Sequence, residues 1–185
     1  MQHTLMAYSC RPDSPDADLI QGCLKEHRLA QQYLYERYAG QMMGICLRYA
    51  GCRDEAMEML NAAFFNVFQR IGQYEARGPL KAWIAKVVIY ACIDWVRKQA
   101  KYRKVMDYES TEDAPVTNDA IQRLAVEELL EKIQQLPPAT RMVFSMYAIE
   151  GYKHGEIADK LNISEGTSKW HLSTARKHLQ KLLKS

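Results

Sequence analysis

Residues 155–182 carry the side chains whose types and spacing suit chemistry, and that chemistry is recognition without a covalent step. At about 100° per residue, Gly166, Trp170, Ser173 and Lys177 fall on one face of a helix, with Lys169, Thr174, Arg176 and Lys181 flanking them and Thr167 in its first turn. Hydroxyls and an aromatic edge can reach base edges in a major groove, while Lys and Arg reach phosphates. Gly166 lets the backbone approach at the helix N-terminus. On the opposite face Ser168, Leu172, Ala175, Leu179 and Leu182 recur at spacings of four and three and must face a core.

An element must stand before that helix to hold it. Ile157, Ala158 and Leu161 make one apolar stripe, Asn162 can take the left-handed conformation that ends a helix, and Ile163 can tuck under the turn. Ser164 can cap the next helix, and Glu165 sits where the helix dipole favours an anion. Helix, three-residue turn, helix: the pattern predicts a helix-turn-helix and hence duplex DNA.

Net charge is only +3, from 25 Lys and Arg against 22 Asp and Glu. Bulk charge therefore does not announce nucleic acid, but its distribution does. Residues 77–104 hold Arg77, Lys81, Lys86, Arg97, Lys98, Lys101, Arg103 and Lys104 against Asp94 alone, and 153–185 are basic again. Between them, 106–131 are acidic. Two basic modules on either side of an acidic spacer can share one polyanion.

The chain reads as helices throughout, which predicts an all-α fold. Residues 1–13 look like a flexible tail. Four helices follow within 14–104: from Ser14-Pro15 to about Glu26, Leu29 to Ala50, Arg53 to Ile71, and from Gly78-Pro79 toward Arg103. Residues 105–118 are polar, acidic and aperiodic, hence a flexible linker. Helices near Asp119–Gln135 and Pro138–Ile149 then lead into the helix-turn-helix, giving a second domain over 119–185 with its own core. On the fourth helix Lys86, Tyr90, Arg97 and Lys101 share one face, opposite Ile84, Val88, Ala91 and Trp95.

Five cysteines, an odd number without a C-x-x-C or Cys/His cluster, predict buried free thiols in a reducing compartment, with no metal and no cofactor. No basic-then-apolar leader and no apolar run near the ~20 residues of a membrane span occur, which predicts a cytoplasmic protein without membrane insertion. No nucleophile–base pair or phosphate-binding loop suggests an enzyme.

With these residues in view the chain resembles the extracytoplasmic-function sigma factors, dissociable promoter-recognition subunits of bacterial RNA polymerase. The resemblance runs over about 16–184. Its C-terminal part rests on Leu136-Pro137-Pro138, Arg141-Met142-Val143-Phe144, Glu150-Gly151-Tyr152, Glu156-Ile157-Ala158, Gly166-Thr167 and Ala175-Arg176. Its N-terminal part rests on Trp83-Ile84, Ile93-Asp94-Trp95-Val96-Arg97 and the run Glu55 to Phe64.

The resemblance implies that 119–185 hold the minus-thirty-five element through Gly166, Thr167, Lys169, Trp170, Ser173, Thr174, Arg176 and Lys177. It implies that Lys86, Tyr90, Arg97, Lys98 and Lys101 capture the separated minus-ten strand, and that Glu55, Glu58, Asn61 and Phe65 meet the polymerase clamp. The linker would run through the RNA exit channel. Core RNA polymerase and promoter DNA are the implied partners, with an anti-sigma factor as a further one. The chain departs from the family pattern at Asn61-Ala62, where Gln-Glu is usual, and at Tyr90, where Asn is usual. The alternative reading is a stand-alone regulator that binds a palindromic operator as a dimer.

Overall fold

The computed structural model describes residues 10–106 and 124–182, with side chains described for 10–99 and 128–182. Of the expected tail over 1–13, residues 1–9 lie outside the described residues, whereas Cys10 is buried in the core and the Pro12 carbonyl accepts a hydrogen bond from Arg37, so 10–13 pack on the fold. Of the expected linker over 105–118, residues 107–118 lie outside the described residues, and 105–106 are the end of a helix. Every regular element among the described residues is helical: α1 (Asp16–Leu24), α2 (Arg28–Tyr49), α3 (Arg53–Arg70), α4 (Leu80–Met106), α5 (Leu124–Gln134), α6 (Pro138–Phe144), α7 (His154–Leu161) and α8 (Glu165–Leu182).

Local chemistry explains where these helices start. Pro15 occupies the α1 N-cap position, with Asp16 and Asp18 in the first turn where the dipole favours carboxylates. At the start of α3, Glu55 Oε2 accepts a hydrogen bond from the Gly51 backbone N–H at 2.6 Å. Pro138 opens α6 at a position whose N–H would have no helical partner.

Helices α1–α4 bury a common core. Leu19, Leu34, Met42, Met59, Leu60, Phe64, Ile84 and Val88 are almost fully enclosed. Each such side chain contributes roughly 1.5–3 kcal/mol of burial. Phe64 lies at its centre, its ring 4.7 Å from that of Tyr35 and 6.0 Å from that of Phe68.

Two expectations need correction. The helix foreseen over Pro138–Ile149 is α-helical only to Phe144; Ser145–Ile149 form a π turn closed by Gly151 at φ 78°. The second domain also lacks a fully separate core. Ile133, Leu136, Ala175 and Leu179 form a small cluster of their own, but Met142, Val143, Met146, Ile157 and Leu172 join the core of α1–α4. Apolar residues that a sequence assigns to one domain can equally well be buried against another, because the hydrophobic effect has no direction.

Cys10, Cys23, Cys46 and Cys92 are buried and Cys52 is exposed, all as free thiols. Burial, with a smaller contribution from Cys10, pushes the Cys23 thiol up to about 11. Contact with Cys46 and then burial raise Cys92. Native protein should therefore give one fast thiol, Cys52, with a disulfide reagent near pH 8, and all five only after denaturation. The neutral thiols also set a sign. Their contribution to stability is complete below the ordinary value of 9.0 and fades as pH rises through about 11, so melting temperature should fall above pH 9.

Candidate nucleic-acid and polymerase interfaces

The helix-turn-helix is built by α7 and α8. Glu156 Oε2 accepts from the Lys153 N–H at 2.8 Å and caps α7, and Asn162 ends it in the left-handed conformation, φ 54° and ψ 49°. The Ile163 N–H reaches back to the Ala158 carbonyl at 3.1 Å. Ser164 Oγ then accepts the Thr167 N–H at 3.0 Å and starts α8. Ser168, Leu172, Ala175 and Leu179 are buried, as the spacing predicts, whereas Leu182 is only half-buried.

Gly166, Lys169, Trp170, Ser173, Arg176 and Lys177 are exposed, and Thr174 is half-buried beside them. Trp170 is 60% exposed, an unusual solvation for an indole that nothing in the fold requires. A Cβ at Gly166 would meet only Ser164 Oγ at 3.5 Å, an ordinary contact, so the fold itself does not demand glycine there. Thr167 is less available than its neighbours, because its hydroxyl lies 2.9 Å from Ser164 Oγ. Lys169 sits 3.6 Å from Glu165, an exposed pair that phosphate could displace.

Two histidines of this module are held inside the fold by side-chain contacts. His154 Nδ1 pairs with Ser168 Oγ at 2.9 Å and its ring stacks on Tyr147, centroids 4.5 Å apart. His171 Nδ1 pairs with Thr140 Oγ1 at 3.0 Å, and burial lowers its affinity for a proton.

On α4, Lys86, Arg97 and Lys98 are exposed, while the Lys101 side chain lies outside the described residues. Arg97 is 3.7 Å from Asp94, an exposed pair three residues apart on the helix. Tyr90 is different. Its hydroxyl accepts a hydrogen bond from Lys160 Nζ of α7 at 3.0 Å, and the same ammonium stands 4.5 Å from its ring centroid. That hydrogen bond is the chief reason the Tyr90 hydroxyl is more acidic than usual.

Sequence reasoning missed a cleft of about 400 Å³ at the entry to α4, lined by Tyr74, Arg77, Gly78, Pro79, Trp83 and Lys86 among others. The Tyr74 and Trp83 rings lie 5.8 Å apart, and the Tyr74 hydroxyl donates to the Gly78 carbonyl at 2.5 Å. Two aromatics flanking Gly78-Pro79, with Arg77 between, were the available signal.

On α3, Glu58, Asn61 and Phe65 are exposed and one to two turns apart, with Phe65 62% exposed. Asn61 Oδ1 also accepts from the Tyr35 hydroxyl at 3.3 Å. Glu55 is engaged within the fold, since its second oxygen accepts from the Trp95 indole at 3.3 Å.

Two separate stretches of this architecture match family models: residues 34–102 match Sigma-70 region 2, and residues 126–179 match Sigma-70 region 4. The chain belongs to the sigma-70 family. Within that family it is an extracytoplasmic-function sigma factor. It is similar to the ECF RNA polymerase sigma factor SigM of Mycobacterium tuberculosis, 23% identical over 96% of this chain and 89% of that protein. It is also similar to SigX of Bacillus subtilis, 25% identical over 82% and 84%, and to CarQ of Myxococcus xanthus, 29% identical over 81% and 87%. The fold is shared with the sigma factor RpoE of Bartonella quintana, solved in complex with the anti-sigma factor NepR. That likeness has a TM-score of 0.50 at 18% identity, over 83% of this chain and 96% of that one. This sigma factor directs promoter-specific transcription initiation, and the stand-alone regulator is not favoured. Among the described residues, no helix is long and apolar enough to cross a membrane.

Proposed function

We propose that this sigma factor divides promoter recognition between two surfaces, one over 14–104 and one over 119–185, and acts in the cytoplasm through binding alone. The carrying observation is the exposed face of α8, where Trp170 and Ser173 lie among Lys169, Arg176 and Lys177 on a helix whose other face is buried. That helix enters the major groove of the minus-thirty-five element. Lys169, Arg176 and Lys177 meet phosphates; Trp170, Ser173 and Thr174 face base edges; Gly166 and Thr167 bring the helix N-terminus close.

The second surface is the basic face of α4 with the cleft at its entry. Lys86, Arg97, Lys98 and Lys101 track the backbone of the separated strand, and Tyr90 offers a ring on which a base can stack. The cleft, with Trp83, Tyr74 and Arg77, has the size and lining to receive a base turned out of the duplex. On α3, Glu58, Asn61 and Phe65 make the contact with core RNA polymerase, while Glu55 supports them from within. An anti-sigma factor is a natural further partner, because the similar RpoE chain was solved with one.

The test is binding to promoter and random duplexes as salt is varied. Lys169→Ala and Arg176→Ala should each weaken both duplexes about three- to tenfold and reduce the slope of log affinity against log salt by about 0.9. Trp170→Ala and Ser173→Ala should alter sequence preference, each base contact being worth about 1–3 kcal/mol of discrimination. Equal effects of all four substitutions on both duplexes would count against this docking.

A further inference from the structure

We infer that His171 is a positioning residue for promoter reading: pinned by Thr140 of α6, its ring holds the Trp170 indole in the orientation that meets the minus-thirty-five bases. Adjacent helical residues point about 100° apart, so spacing alone does not bring positions 170 and 171 into contact. Their rings nevertheless meet edge to face, centroids 4.8 Å apart and planes at 70°, within the separation such pairs prefer. One ring must therefore lean toward the other, and the restrained one is His171. Its Nδ1 lies 3.0 Å from the hydroxyl of Thr140, a residue only 3% exposed on a helix that packs along α8. A buried hydroxyl costs stability unless it is bonded, so Thr140 fixes the imidazole while the imidazole satisfies Thr140.

Trp170 needs such a support. It is 60% exposed, as a groove-reading side chain must be, and an exposed indole left free to turn gives up that freedom on binding. A ring already held by its neighbour has less to lose. His154 serves the same helix differently: it bonds to the fully buried Ser168 and stacks on Tyr147, so it fixes the body of α8 and not the orientation of a base-facing side chain. His171 touches both an anchor in the core and a residue of the exposed face.

Little charge surrounds His171. Three and four residues away on α8 stand Thr167, Ser168, Thr174 and Ala175, and Arg141, beside Thr140 on α6, donates to the Gln134 carbonyl at 2.8 Å. Burial is what disfavours the protonated imidazole. An imidazolium quenches an adjacent indole more strongly than the neutral ring does, which makes Trp170 emission a reporter of the contact in the free protein.

This role rests on the docking of α8 proposed above, so it is tested first without DNA. In the full chain, the part of tryptophan emission that Trp170→Phe removes should fall as pH is lowered through a midpoint below 6.5, the ordinary value for imidazole. His171→Asn, which keeps an acceptor for the Thr140 hydroxyl but removes the ring, should abolish that step. Thr140→Val should move the midpoint toward 6.5, and Thr140→Ser should restore it. The second arm uses promoter duplexes altered at single base pairs of the minus-thirty-five element. His171→Asn and Thr140→Val should each reduce discrimination about two- to tenfold, and Thr140→Ser should not. The slope of log affinity against log salt should stay at the wild-type value, because Lys169, Arg176 and Lys177 are untouched. Should Thr140→Val fail to fold in circular dichroism, His171→Asn, at a half-buried position, carries the comparison. An emission step that persists in His171→Asn, or discrimination that the folded variants leave unchanged while Trp170→Ala lowers it, overturns the positioning role. So does an equal loss on every duplex. If Trp170→Ala itself keeps the wild-type preference, the docking of α8 fails, and the role in promoter reading falls with it whatever the emission shows.

Discussion

Replacing Phe65 by Ala should weaken binding to core RNA polymerase about thirtyfold and leave the melting temperature nearly unchanged, while Phe64→Ala beside it should do the reverse. The two rings are neighbours in sequence and opposites in environment. Phe64 is buried with Tyr35 and Phe68 around it; Phe65 is 62% exposed on the face that carries Glu58 and Asn61. Removing a buried Phe costs about 3–5 kcal/mol through lost transfer energy and the cavity left behind. That is a large share of a domain's total stability, so Phe64→Ala should lower the melting temperature steeply. An exposed aromatic that becomes the centre of an interface behaves otherwise. Its loss costs at least about 2 kcal/mol of binding and little of folding. Chain melting by circular dichroism beside titration of labelled protein with core polymerase separates the two. If Phe65→Ala binds core as wild type does, the clamp contact lies elsewhere on the molecule. Glu55→Ala offers an internal check: with its carboxylate bonded to Gly51 and Trp95, its loss should appear first as lower stability.

Tyr90→Ala should slow promoter opening by an amount equivalent to about 1–3 kcal/mol, or roughly five- to 150-fold, once the closed complex is saturated. The ring is half-buried, at the edge of the α4 surface, and its polar partner in the free chain is Lys160. Loss of such a contact should change folding stability by no more than about 1 kcal/mol. Tyr90→Phe keeps the stacking surface and discards only the hydroxyl that accepts from Lys160, so opening should be nearly normal at saturation. A base-analogue probe in the minus-ten strand reports opening, and a melt on the same samples reports stability. A large drop in melting temperature without a selective opening defect would mean that Tyr90 serves the packing of α7 on α4 and not the strand. Acid should act on the other half of the molecule. Burial makes neutral His171 the favoured form in the fold, so its contribution is present above its ordinary value of 6.5 and is lost as pH falls below it.

Short-range physics made much of this chain legible from its residues alone. The 4, 3, 4 spacing of Ser168, Leu172, Ala175 and Leu179 chose the buried face of α8 and therefore its exposed one, because a regular helix leaves no freedom in which side chains share a side. Asn162 and Ser164 marked the turn for equally local reasons, a left-handed backbone and a hydroxyl within reach of a free N–H. Gly51 and Gly78-Pro79 likewise bounded α2–α4 within a residue or two. The composition of 77–104 placed positive charge on α4 whatever its neighbours.

Partnerships across the chain were not legible in this way. Nothing around position 55 signals that a carboxylate on a predicted interface helix is occupied by the Trp95 indole 40 residues away, or that Lys160 would settle on Tyr90 from 70 residues away. The cleft at Tyr74 and Trp83, and the joining of Met142, Val143 and Met146 to the core of α1–α4, have the same origin. Amphipathic periodicity states that a face must be covered and is silent on what covers it, since apolar burial has no direction and a half-buried ion pair such as Arg48–Glu150 depends on geometry that no local pattern encodes. Most of the helices, their ends and their two faces followed from the order of residues; which face met which was decided by tertiary packing, because contacts between residues far apart in the chain leave no local pattern.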